Sequence, residues 1–68
     1  MPTTEELRER LDDIGEALAD LALDALRSAL EDGDAEAKDR ERRLTRARRS
    51  VEKAAALLAE REPDPDLA

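Results

Sequence analysis

"LRERLDDIGEALADLALDA", residues 7–25, sets the architecture of this chain. Leu7, Leu11, Ile14, Leu18, Leu21 and Ala25 recur in it at alternating spacings of four and three. Side chains so spaced fall in one stripe along an α-helix, as the a and d positions of a heptad repeat. Upstream, Thr3 is placed to cap the helix, with Glu6 three residues on as the other half of a capping box. Downstream, "EDGD" at 31–34 interrupts the pattern. Gly33 suits a left-handed helix C-terminus, and Asp34 suits the N-cap of a second helix.

The second helix repeats the rhythm through Ala37, Arg40, Leu44, Ala47, Val51, Ala54, Leu58 and Arg61. The expected organisation is a helical hairpin over 3–61: helix 1 over 4–31, a turn at 32–34 and helix 2 over 35–61. "EPDPDLA" at 62–68 then reads as an acidic flexible tail. Two helices of matched length joined by a short polar turn make an all-α, antiparallel two-helix hairpin. With Gly33 at the turn, facing residues have numbers adding to about 66. Leu7 then meets Leu58, Leu11 meets Ala54 and Ala55, Ile14 meets Val51, Leu18 meets Ala47, and Leu21 meets Leu44. These ten positions, Leu7, Leu11, Ile14, Leu18, Leu21, Leu44, Ala47, Val51, Ala54 and Leu58, are the expected intra-hairpin core.

The same register arranges the charges. Residues 1–33 hold ten acids and three bases, and residues 34–61 hold six acids and nine bases. Asp13 is expected across from Lys53, Asp20 from Arg46, and Asp24 from Arg43. The arginine-rich "RRLTRARRS" at 42–50 then reads as half of an internal electrostatic seam. Its alternative use is a grip on nucleic acid through segment 40–49, with Arg42, Arg48 and Arg49 as the candidate anion contacts. Against that stand the absence of aromatic residues for base stacking and a net charge of −7, which repels phosphate.

A second set of small and apolar residues flanks the stripe. It comprises Gly15, Ala19, Ala22, Leu23, Leu26, Ala29 and Leu30 on helix 1, with Ala55 and Ala59 on helix 2. A helix apolar over so wide an arc is normally covered by further helices. The chain is 68 residues long and holds no second pair. The set is therefore the expected oligomer interface, and two hairpins joined there give a four-helix bundle as a homodimer. Gly15, which costs about 1 kcal/mol mid-helix relative to alanine, is the expected point of backbone crossing between copies.

Composition narrows the function. Cysteine, histidine and aromatic residues are absent. That removes disulfides, the usual structural zinc ligands and Cys- or His-based nucleophilic catalysis. The segment from Asp32 resembles a calcium loop, but position six is Ala37 rather than Gly and position twelve is Arg43 rather than Glu. No catalytic, cofactor-binding or metal-binding residue is expected, and the chain is expected not to be an enzyme. No apolar run reaches the roughly 20 residues of a membrane span, and no signal peptide is evident, so a cytoplasmic location is expected. The functional expectation is a non-enzymatic, self-associating structural or interaction module whose main partner is itself. Alternatives are an accessory regulator or small subunit that binds another helical protein, the nucleic-acid reading above, and a designed helical bundle.

Overall fold

The computed structural model describes residues 1–59, which form two helices packed against each other. Helix α1 spans Thr4–Asp32 and helix α2 spans Ala35–Leu58. No strand occurs among the described residues. The expected end of helix 2 at 60–61 and the expected tail at 62–68 lie outside them.

Each boundary has a local cause. Thr3 Oγ1 accepts a hydrogen bond from the Glu6 backbone N–H at 3.0 Å, which satisfies one of the orphan donors of the first turn. At the other end of α1, Gly33 takes the left-handed conformation with φ of 63°. A side chain there strains the backbone, so glycine is the natural stop. Asp34 then starts α2, its Oδ1 accepting from Glu36 N–H at 2.9 Å and Ala37 N–H at 3.2 Å. Helix α2 stops earlier than the spacing suggests. Ala59 has left helical geometry, with φ of −69° and ψ of 136°, and its N–H closes the last turn on the Ala55 carbonyl at 3.0 Å.

The axial register is the expected one, but the helices are rolled. A Cβ built on Gly15 lies 3.8 Å from Val51 Cγ1, and the numbers of that pair add to 66. The buried residues are nevertheless Gly15 and Ala25 on α1, and Ala37 and Ala55 on α2. Around them Leu11, Leu18, Leu44, Val51, Ala54 and Leu58 are half-buried. Leu7, Ile14, Leu21 and Ala47, expected in the core, are exposed. At 3.6 residues per turn, both contact faces have turned by roughly 50° from their heptad stripes. The physical reason is size. The axes of two helices approach most closely where side chains are small. The glycine and alanine rows therefore take the seam, and the leucines straddle it. Gly15 and Ala55, expected at an interface between copies, are thus buried inside the hairpin, with Ala19, Ala22, Ala29 and Ala59 half-buried beside them.

Candidate interaction surfaces

The roll creates two unlike sides. The helices are antiparallel, so turning each about its own axis in the same sense moves both stripes to the same side of the pair. On that side lie Leu7, Ile14 and Leu21, which are 40%, 48% and 54% exposed. Ala47 is exposed beside them, with half-buried Ala54 and Leu58 completing an apolar strip that crosses both helices.

The opposite side is mixed. A polar cleft opens there between the helices, lined by Leu11, Asp12, Gly15, Glu16, Ala19, Arg48 and Glu52. Nearer the turn, Leu23, Leu26 and Leu30 form a small apolar groove with Arg27 and Glu31. These leucines belong to the set expected at an oligomer interface, and they are exposed. They sit on α1 alone, without an apolar counterpart on α2.

The charges do not form the expected internal seam. Among the described residues the ion pairs lie within single helices: Arg8 with Glu5, Arg8 with Asp12 at 3.0 Å, and Arg48 with Glu52 at 3.6 Å. Asp13, Asp20 and Asp24 are exposed on the outer edge of α1, while Arg43, Arg46 and Lys53 are exposed on the outer edge of α2. The roll carried the two rows to opposite edges of the pair. Of the candidate anion contacts, Arg48 is held by Glu52, and Arg42 and Arg49 are exposed. Arg42, Arg43 and Arg46 line an open cleft with Asp39.

Local polar contacts are satisfied. Arg8 donates from Nε to Glu5 Oε2 at 3.2 Å and from a terminal nitrogen to Asp12 Oδ2 at 3.0 Å. The hydrogen bond from Arg8 holds the Glu5 carboxyl below its ordinary value, and the same contact raises the guanidinium. Thr45 Oγ1 donates to Glu41 Oε2 at 3.2 Å and Ser50 Oγ to the Arg46 carbonyl at 3.2 Å.

Ala25 and Ala37, members of the two heptad stripes, are buried in the seam. The rest of the seam on α1 is signalled by a small-residue row, Gly15, Ala22 and Ala29, seven residues apart. A heptad reading assigns that row to an outer interface because it ranks positions by hydrophobicity and not by closeness of approach.

Among the described residues, no group of three or more His, Cys, Asp or Glu is placed to hold a metal ion, and no helix is long and apolar enough to cross a membrane. No family model matches the chain, and neither curated proteins nor solved structures yield a match.

Proposed function

We propose that this chain is a non-enzymatic structural module that works by self-association, two hairpins forming a four-helix bundle. The observation that carries this reading is the composition of the seam. No large side chain is fully buried among the described residues, and the buried apolar residues are alanines. Fully burying a leucine contributes about 1.5–3 kcal/mol, and an alanine methyl far less. A single core in a chain of this size rarely supplies more than about 3–5 kcal/mol, and a staple or a partner commonly adds to it. Cysteine and histidine are absent, which leaves a partner as the available device. The strip of Leu7, Ile14 and Leu21 with Ala47 supplies a surface for it.

The outward arginines support an acidic acceptor beyond the chain. A second copy offers such an acceptor in the exposed acidic row of Asp13, Asp20 and Asp24. The test is unfolding followed by circular dichroism over a thousandfold range of concentration, with mass measured by sedimentation. The midpoint is expected to rise with concentration and the mass to be that of a dimer. A concentration-independent melt of a monomer refutes the reading.

A further inference from the structure

We infer that the two copies meet through the Leu7, Ile14 and Leu21 side, about a two-fold axis parallel to the helices, with α1 of each copy lying on α2 of the other. The inference rests on the self-association proposed above and specifies its geometry. The apolar strip crosses both helices, whereas the opposite side is split by the charged cleft of Asp12, Glu16, Arg48 and Glu52. The strip is therefore the side that a second copy covers at least cost in desolvated charge.

Stacking two such sides allows two arrangements. An axis perpendicular to the helices lays α1 on α1, which sets the acidic edge of Asp13, Asp20 and Asp24 against its own copy and the basic edge of α2 against itself. An axis parallel to the helices preserves height along the bundle. Residue n of α1 then faces residue 66−n on α2 of the other copy, because the Gly15–Val51 register fixes that relation within each hairpin. Asp13, Asp20 and Asp24 come to flank Lys53, Arg46 and Arg43 of the second copy, at positions equivalent to the e and g sites of a coiled coil. The complementary pairs written in the sequence are thus made between chains. Inside the hairpin their two rows sit on opposite edges, and none of the six is ion-paired among the described residues.

The test uses two charge-reversed full-length chains, one with Asp13→Lys, Asp20→Lys and Asp24→Lys, the other with Arg43→Glu, Arg46→Glu and Lys53→Glu. Each triple change moves the formal charge by six units from −7, to −1 and −13, so bulk attraction does not bring the two variants together. Sedimentation is expected to show each alone associating at least about tenfold more weakly than the parent, and an equimolar mixture within about threefold of it. A chain carrying all six changes is expected to associate like the mixture, which covers the case where a triple variant does not fold alone. A mixture no tighter than its components, together with a six-change chain that fails to associate, overturns the pairing between chains. Triple variants that each associate as tightly as the parent overturn it in favour of α1 on α1, where reversing a row leaves like charge facing like charge. Either result leaves a dimeric parent standing, whereas a parent that stays monomeric removes the self-association reading itself.

Discussion

Gly15 and Val51 meet across the hairpin with room to spare: a methyl group on Gly15 lies 3.8 Å from Val51 Cγ1, an ordinary van der Waals contact. Within the hairpin the glycine is therefore not held there by a clash. Gly15→Ala is expected to stabilise the hairpin by about 0.5–1 kcal/mol through lower backbone entropy and a small added contact. For a chain of this size that is a rise of several degrees in Tm, roughly 4–8 °C per kcal/mol. A thermal melt at matched concentration checks it, and a lowered Tm contradicts it.

The turn separates two costs. Gly33 has open space around it and a φ of 63°, so Gly33→Ala acts through backbone strain alone, about 1–2 kcal/mol. Asp34→Ala leaves the backbone free but removes two accepted hydrogen bonds, for about 1 kcal/mol. The positions are adjacent but the mechanisms differ. Asp34→Asn is expected to recover most of its loss, whereas at Gly33 only a residue tolerant of the left-handed region, asparagine above all, recovers any. Denaturant melts of the four variants measure this.

Ile14 and Leu30 are both exposed, at 48% and 77%, but on opposite sides of the pair. If the Ile14 side is the one covered, Ile14→Gln weakens self-association by tenfold or more, about 1.4 kcal/mol or above, and Leu30→Gln changes it little. Sedimentation of the two variants beside the parent decides it. Equal losses at both positions count against a one-sided interface.

The Glu5 carboxyl is held down by its hydrogen bond from Arg8. A group whose folded value is lowered adds stability at neutral pH and loses it as pH falls through that value. The first turn of α1 is therefore expected to fray on acidification, starting below the ordinary 4.5 of a glutamate. Glu5 is exposed and its partner Arg8 lies one turn away, so the effect is local and confined to that turn. Amide exchange and chemical shifts at Glu5–Leu7 between pH 6 and pH 2 follow it, and Glu5→Gln is expected to flatten the profile (pH range chosen to span carboxylate titration).

Heptad spacing, the Thr3 cap, Gly33 and Asp34 were enough to read two helices, their antiparallel direction and the axial register that sets Gly15 against Val51. These are properties of local backbone chemistry and of counting along the chain. Which face of each helix meets the other was not legible, because Leu7, Leu11 and Ile14 on one flank and Gly15, Ala19 and Ala22 on the other are both admissible stripes at the same spacing. Packing chose between them: the alanines and Gly15 allow the axes to close, and a rotation of roughly 50° follows about both helices. That rotation moved Asp20 and Arg46 to opposite edges and left Ile14 facing solvent. The order of residues along each helix belongs to the chain, while the side each one faces belongs to the fit between two surfaces, which no single helix contains.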